Sequence, residues 1–231
     1  MPRPDLLLLH GALGASGQFD ALLPLLGDYF ELHTLDFEGH GSGHATEDPF
    51  SMDRFSANVL DFLSAHNIER TYIFGYSMGG YVACLVALAR PGLVEGIVTL
   101  GTKCLWNKES AAKEVALLNP EKIAAKVPRF AQTLAARHTS LGWETVLHST
   151  AAMLSSLGEA GGFPLDALSG LQIPVRVMVG DRDSTVSVEE AAQVYRALPL
   201  GQLEVLPGTL HQFERVPVER LAASIVQFFN A

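Results

Sequence analysis

The most informative stretch of this 231-residue sequence is Ile73-Phe74-Gly75-Tyr76-Ser77-Met78-Gly79-Gly80. An apolar strand pattern leads into a turn of glycines around one serine, and an apolar helix pattern begins at Gly79. In this G-x-S-x-G sequence the residues two before and two after the serine must be small, because a side chain there would collide with the neighbouring strand or helix. We therefore expect a strained backbone at Ser77 and a hydroxyl exposed at the carboxyl end of the strand.

The helix that follows the serine adds electrostatic character to the turn. A helix N-terminus carries partial positive charge and free N–H groups, which can face a developing anion. The sequence therefore predicts Ser77 as a nucleophile and the Met78 N–H as one donor to an oxyanion.

Composition limits the possible partners and compartments. The 16 basic and 25 acidic residues give a net charge of −9, which argues against nucleic acid or an anionic membrane as the main partner. Cys84 and Cys104 are too few for a disulfide framework or a zinc site. The run Leu6-Leu7-Leu8-Leu9 is too short to cross a bilayer or to serve as a signal segment. We expect a cytoplasmic protein with no membrane span.

Strand and helix patterns alternate along most of the chain. Strands are predicted at 5–9, 31–36, 71–75, 94–100, 175–179 and 203–206, and helices at 17–26, 51–66, 79–89, 188–198 and 217–229. Such alternation with short connections predicts an α/β fold, with a parallel sheet and helices on both of its faces.

The alternation pauses between the fourth and fifth strands. Helical patterns there cover 110–118, 120–138 with a break at Pro128, and 143–157, and the segment 158–162 resembles a return linker. We predict a core of residues 1–103 and 169–231 with a helical insertion, residues 104–168, that lies over the sheet.

An exposed serine needs a base, and the base needs an acid to orient it. In a parallel sheet both should come from loops at the carboxyl ends of later strands. The fifth strand is followed by Asp181 and Asp183, and the sixth is followed by His211. The residues alone predict a triad of Ser77, His211 and one of these two aspartates.

Four motifs carry a family resemblance: H-G-x-x-G at 10–14, D-x-x-G-x-G-x-S beginning at Asp36 (with Ser42 one position earlier than the motif's last residue), G-x-x-D at 180–183 and G-x-x-H at 208–211. With the G-x-S-x-G turn around Ser77, they make the chain resemble the α/β-hydrolase fold superfamily, in particular its cap-bearing, cofactor-free esterases and C–C hydrolases. The resemblance implies that Asp183, rather than Asp181, is the triad acid. It also implies that the insertion is a cap and that neither an organic cofactor nor a metal is required.

One departure from the family concerns the start of the sheet. Members usually carry two strands before the H-G motif, whereas nine residues precede His10 here. We therefore expect a six-stranded sheet in which the strand at 31–36 forms an edge. Because bare edges invite association, we expect the N-terminus or a second subunit to cover it, in a monomer or a homodimer.

The expected strand order also locates the crevice. The second strand falls on one side of the first and the third on the other, so a crevice opens between Leu9 and Phe74 at the carboxyl ends of the strands. This places the Ala12 and Met78 N–H groups on either side of Ser77, as the predicted oxyanion hole.

The substrate pocket is less well defined by the sequence. Four residues of the insertion would either line an acyl or leaving-group pocket or simply pack on the sheet: Trp106, Trp143, Met153 and Leu154. Lys103 would either meet a substrate carboxylate or be solvated.

Five further histidines are not expected to take part in catalysis or to bind a metal. We expect His10 to hold its own loop by hydrogen bonds. The following are expected in loops or at the surface: His40, His44, His138 and His148.

The sequence favours a serine hydrolase that cleaves a small to medium carboxylic ester or thioester through an acyl-enzyme. One alternative is a C–C bond hydrolase or a proton-abstracting lyase that uses the same triad. Another is a ligand sensor that keeps the triad and signals through the cap. In each case the expected ligand is a small molecule.

Overall fold

The computed structural model describes residues 3–229. They contain six strands: β1 Asp5–Leu9, β2 Glu31–Leu35, β3 Thr71–Tyr76, β4 Val94–Leu100, β5 Val175–Gly180 and β6 Gly201–Leu206. The strands form one sheet in the order β2-β1-β3-β4-β5-β6, and every neighbouring pair is parallel. The predicted six-stranded parallel sheet is confirmed.

The same residues form nine α-helices: α1 Leu23–Leu26, α2 Met52–Ala65, α3 Met78–Ala89, α4 Lys108–Val115, α5 Pro120–Lys126, α6 Pro128–Arg137, α7 Trp143–Ala160, α8 Val188–Ala197 and α9 Val218–Phe229. Short 3-10 helices lie at Ser16–Phe19, Leu165–Gly170 and Phe213–Arg215.

Strand β1 shows why the sheet is covered on both faces. Leu7 and Leu9 belong to a hydrophobic cluster on one face, together with residues of α2, α3 and α8. Leu6 and Leu8 point to the other face, where they join residues of α9. Successive side chains of a strand alternate between faces, so a strand buried on both faces is apolar throughout.

The strand order places the crevice where the sequence predicts it. β1 pairs with β2 on one side and with β3 on the other. The loops after β1 and β3 therefore part at the carboxyl edge of the sheet, as at other topological switch points.

The helix predicted at 17–26 is wrong. This segment forms a 3-10 turn, Ser16–Phe19, and the short helix α1. Pro24 lies in the first turn of α1, where its missing N–H costs nothing, whereas inside a longer helix it would break the hydrogen-bond ladder.

The return linker also begins later than predicted. Helix α7 continues to Ala160, and Gly161 ends it in a left-handed conformation with φ of 85°. Gly158 lies inside the helix because α4 packs closely there, and a Cβ at this position would overlap Ala111.

Helices α4–α7 occupy the chain between β4 and β5. Part of this segment joins the cluster on the α3 face of the sheet, through Ala111, Met153 and Leu154 among others. The rest forms its own small cluster of Ile123, Ala131, Leu134 and Leu147. These helices are the basis for the proposed insertion at 104–168.

Strand β2 is an edge, as expected. The Glu31 N–H donates to the Pro4 carbonyl at 2.9 Å, so residues 3 and 4 continue β1 rather than crossing the outer side of β2. Residues 1 and 2, which the prediction of a covering N-terminus also concerns, lie outside the described residues. Over residues 3–229 we find no helix with the length and apolar character needed to cross a bilayer.

Candidate active site

The turn around Ser77 has the strained geometry that the sequence predicts. Ser77 adopts φ of 51° and ψ of −114°, a conformation that L-residues rarely occupy. A Cβ on Gly75 would overlap the backbone of Gly80, and a Cβ on Gly79 would overlap the carbonyl of Leu9. The two glycines therefore allow strand, turn and helix to pack tightly behind the serine.

Ser77, His211 and Asp183 form one chain of hydrogen bonds. Ser77 Oγ lies 3.2 Å from His211 Nε2, and His211 Nδ1 lies 2.7 Å from Asp183 Oδ2. The acid side chain is 2% exposed and the histidine side chain 15% exposed. With the acid accepting from Nδ1–H, Nε2 is left to accept the serine proton.

The two aspartates after β5 have different partners. Asp183 Oδ1 accepts hydrogen bonds from the Thr185 and Val186 N–H groups, each at 2.8 Å, which fixes the carboxylate that faces His211. Asp181 Oδ1 instead accepts from the Gly208 N–H at 2.6 Å. Asp181 therefore braces the loop that carries the histidine and does not contact its ring.

Three residues that support this arrangement were missed by the sequence reasoning. The Tyr76 hydroxyl donates to the His211 carbonyl at 2.9 Å, and the Thr102 hydroxyl donates to the Ser77 carbonyl at 2.9 Å. Gly101, with φ of 61°, lies directly under the triad, where a Cβ would be 3.1 Å from His211 Nδ1. Of the three, only Gly101 could have been noticed in the sequence, because it is a glycine directly after a predicted strand.

The two predicted oxyanion donors line the same pocket as Ser77. Among the described residues, neither the Ala12 N–H nor the Met78 N–H donates a hydrogen bond. Met78 is the first residue of α3, so its N–H has no intrahelical partner. Both groups are therefore available to a ligand atom beside Ser77.

His10 holds the loop after β1, as expected. Its Nε2 accepts from the Phe37 N–H at 3.2 Å, so Nδ1 carries the proton and donates to the Gly11 carbonyl at 2.8 Å. Complete burial lowers the pKa of His10 to about 4, which keeps the ring neutral.

His40 and His138 lie in loops, as expected, but both are buried, whereas His44 and His148 are exposed. The His40 ring stacks on Phe50, with centroids 5.0 Å apart. His138 Nδ1 accepts from the Gly41 N–H at 3.1 Å, and burial lowers its pKa to about 4. The two rings contact each other edge to face, with centroids 5.7 Å apart.

The pocket beside Ser77 has a volume of about 200 Å³. Four of the five predicted substrate-binding residues line it: Lys103, Trp106, Met153 and Leu154. Trp143 does not, because it packs against the cluster of α5, α6 and α7. Further lining residues, which the sequence did not indicate, include Leu13, Met52, Tyr81, Leu118 and Thr150.

Lys103 is neither solvated nor free to meet a carboxylate. Its side chain is 10% exposed, and Nζ lies 2.5 Å from Glu190 Oε1. Nζ also donates to the Thr185 carbonyl at 3.3 Å. The ion pair neutralises the charge that Lys103 brings to the pocket wall.

Within residues 3–229, no group of three or more His, Cys, Asp or Glu side chains is placed to hold a metal ion. Cys84 and Cys104 are both buried without a disulfide. Burial raises the pKa of the Cys84 thiol to about 12, so this thiol stays protonated and unreactive.

Comparison with known proteins identifies the family. A family model described as alpha/beta hydrolase fold matches residues 4–154. The chain belongs to the α/β-hydrolase fold family. In α/β hydrolases a G-x-S-x-G serine, an acid and a histidine follow one another in this chain order.

Two curated relatives illustrate the range of this α/β-hydrolase family. The pimeloyl-[acyl-carrier protein] methyl ester esterase of Yersinia pseudotuberculosis is 26% identical over 90% of this chain and 86% of its own. Ethanol acetyltransferase 1 of Cyberlindnera fabianii is 33% identical over 41% of this chain. This chain spans only 29% of the length of that acetyltransferase.

Solved structures share the whole fold. The 2-hydroxy-6-oxo-6-phenylhexa-2,4-dienoate hydrolase of Rhodococcus sp. strain RHA1 superimposes with a TM-score of 0.80. The superposition covers 99% of this chain and 91% of that one, at 20% sequence identity. At this identity the similarity concerns the fold.

Proposed function

We propose that this α/β hydrolase cleaves small to medium carboxylic esters or thioesters through an acyl-enzyme on Ser77. The observation that carries the proposal is the hydrogen-bonded chain Ser77–His211–Asp183, which opens into an apolar pocket beside two unused N–H donors. Nucleophile, base, orienting acid and anion site are the parts that acyl transfer requires.

In the first half of the reaction, Ser77 Oγ attacks the ester carbonyl while His211 Nε2 takes the hydroxyl proton. The Ala12 and Met78 N–H groups bind the oxyanion that forms. Asp183 stabilises the imidazolium through Nδ1–H. His211 then returns the proton to the leaving alcohol or thiol as the bond to the acyl carbon breaks.

In the second half, His211 removes a proton from a water molecule, and the hydroxide attacks the acyl carbon. The tetrahedral intermediate uses the same two N–H donors. Its collapse expels Ser77 Oγ, which regains a proton from His211, and the carboxylic acid leaves. Apart from the ester and one water molecule, these steps use only groups of the chain.

The pocket supports a small, uncharged acyl group. Its volume of about 200 Å³ is only moderately larger than that of a cavity known to hold benzene, about 150 Å³. Most of its wall is apolar, and its one lysine is paired with Glu190. The similarity to a methyl ester esterase over most of the chain also supports ester chemistry.

The C–C hydrolase alternative has less support. Polar, enolisable substrates need cationic groups, and the candidates are Lys103 and Lys108. Lys103 pairs with Glu190 at 2.5 Å and Lys108 pairs with Glu159 at 2.8 Å. Lys103 is therefore not left to bind an anionic substrate, and Lys108 does not line the pocket.

The sensor alternative is favoured by one observation. Three large apolar side chains of the insertion are exposed: Leu117 at 65%, Val127 at 49% and Phe130 at 43%. A contact surface for a partner protein would draw on such side chains, although Leu117 also lines the pocket. Turnover separates the two functions, because a sensor would label at Ser77 but hydrolyse esters very slowly.

The test is reaction with a fluorophosphonate probe, followed by peptide mass spectrometry and an ester panel. We expect label on Ser77, none in Ser77→Ala, and a loss of about 10⁴-fold in kcat for Asp183→Asn. Asp181→Asn is the matched control, since this side chain does not contact His211, and it should keep most activity. A folded wild-type protein that takes no label would refute the proposal.

A further inference from the structure

The loop that supplies the Ala12 N–H contains an unfavourable backbone conformation. The Gly14 N–H donates to the Gly11 carbonyl at 3.0 Å, which closes a four-residue turn. Leu13, the third residue of this turn, has φ of 58°. Turns that need a positive φ at this position normally place glycine or asparagine there. Something outside the loop must therefore hold Leu13.

The carbonyl of Leu13 is bound by the helical insertion, and its side chain packs both on the insertion and on the main hydrophobic cluster. Its carbonyl accepts hydrogen bonds from Arg137 Nη1 at 2.8 Å and from His138 Nε2 at 3.1 Å, both at the end of α6. Its side chain packs against the cluster of Ile123, Ala131, Leu134 and Leu147. The insertion thus contacts the loop through both the carbonyl and the side chain of Leu13.

Arg137 also reaches the loop that carries His211. Its Nη2 lies 3.3 Å from Glu214 Oε1, three residues after the histidine. Glu214 accepts a second hydrogen bond from Gln18 Nε2 at 3.2 Å. Burial would raise the pKa of Glu214, but bonds from its own N–H, Gln18 and Arg137 outweigh burial and lower it. Glu214 is therefore held as a carboxylate.

We propose that Arg137, a residue of the insertion, is a positioning residue. It connects the loop that carries the Ala12 N–H, the oxyanion loop, to the loop that carries His211, the histidine loop. This inference rests on the proposed hydrolase function. One guanidinium group fixes Leu13 with one nitrogen and Glu214 with the other. Displacement of α6 would remove both contacts of Arg137 together. The position of the insertion on the core therefore determines whether the Ala12 N–H is held in place beside Ser77.

Only an arginine meets both partners in this geometry. Its planar fork presents separate N–H groups in fixed directions, whereas a lysine ammonium is a compact charge on a flexible stem. The Arg137 side chain is 17% exposed and that of Glu214 is 59% exposed, so the bond to Leu13 is the better shielded from water of the two. His138 supplies the second bond to Leu13 as a neutral ring, because its Nδ1 accepts from the Gly41 N–H.

The experiment measures kcat, KM and the rate of fluorophosphonate labelling for Arg137→Gln and Arg137→Lys. Labelling passes through a similar oxyanion, so a misplaced donor should slow it as well. We expect kcat and the labelling rate to fall about tenfold in Arg137→Gln, with KM within about twofold. Arg137→Lys should recover part of both. Arg129→Gln, an exposed position on the same helix, is the matched control and should resemble wild type.

Glu214→Gln provides a second variant in case Arg137→Gln does not fold. It weakens the bonds that Glu214 accepts from Arg137 and Gln18 and leaves the bonds to Leu13 in place, so we expect a smaller fall in kcat with unchanged KM. Folded Arg137→Gln that labels at the wild-type rate would overturn the inference, as would unchanged kinetics in Glu214→Gln if only that variant folds. Failure of wild-type Ser77 to label would instead show that the proposed function itself is wrong.

Discussion

The hydroxyl of Tyr76 holds the backbone of His211, the candidate base. It donates to the His211 carbonyl, and the ring is 7% exposed. We predict that Tyr76→Phe lowers kcat roughly tenfold, because a small displacement of a catalytic group is costly. The unpaired carbonyl should also lower the free energy of unfolding by about 1–2 kcal/mol. Ester kinetics and urea unfolding measure the two effects.

Tyr72→Phe is the matched control for Tyr76→Phe. Tyr72 lies on the same strand, its ring stacks on Phe229, and its hydroxyl makes no hydrogen bond with another described residue. The control should keep wild-type kcat. Equal activity of the two variants would mean that the Tyr76 hydroxyl does not position His211.

For individual residues, the sequence predicts a role in the site only where the residue belongs to a short motif. Ser77, Asp183 and His211 each follow a strand within a recognisable pattern, so their proximity could be predicted. The bond from Tyr76 joins residues 135 positions apart, and no local pattern encodes it. The burial of His40 was missed for a similar reason, because a histidine in a glycine-rich loop resembles a surface residue until Phe50 stacks on it.

The start of α8 is fastened to the end of β4 by one ion pair. Glu190 accepts from the Ser187 N–H in a capping box and also pairs with Lys103. We predict that Glu190→Gln lowers the free energy of unfolding by about 2 kcal/mol, since it leaves a largely buried ammonium without its counter-ion. Thermal or urea unfolding measures this loss.

Glu189→Gln is the control for the capping interaction. Glu189 is the preceding residue and is exposed, so its replacement should change stability by less than about 0.5 kcal/mol. A Glu190→Gln protein as stable as this control would show that the pair with Lys103 contributes nothing to the attachment of α8.

The elements of the sheet follow from local pattern, but several helix ends do not. Apolar runs between turn signals predict β1 and β4 to the residue. Glycine usually ends a helix, so Gly158 predicts a linker, yet here α4 occupies the space that a side chain would fill. Tertiary packing overrides the local signal at that point.

Across the whole molecule, the sequence predicts the sheet and the crevice but not how the insertion sits on them. The sequence does not distinguish Trp106 from Trp143. The packing of α5–α7 shows that Trp106 lines the pocket, whereas Trp143 packs against the small cluster that Leu13 also contacts. The buried polar layer between core and insertion was equally invisible, since its members are distant in the chain: His10, His40 and His138.

These three histidines should make stability depend on pH. Burial places the folded pKa of His10 at about 4, below the ordinary value of 6.5, and lowers that of His40 well below it. Between these values the unfolded chain binds more protons, so the free energy of unfolding falls as the pH drops from 6.5 toward 4, by about 2 kcal/mol at pH 5 for His10 alone. We predict that His40→Phe, which keeps the stack on Phe50, flattens this slope in urea unfolding across that range, whereas exposed His66→Gln leaves it unchanged. Parallel slopes for wild type and His40→Phe would mean that His40 takes up no proton on unfolding.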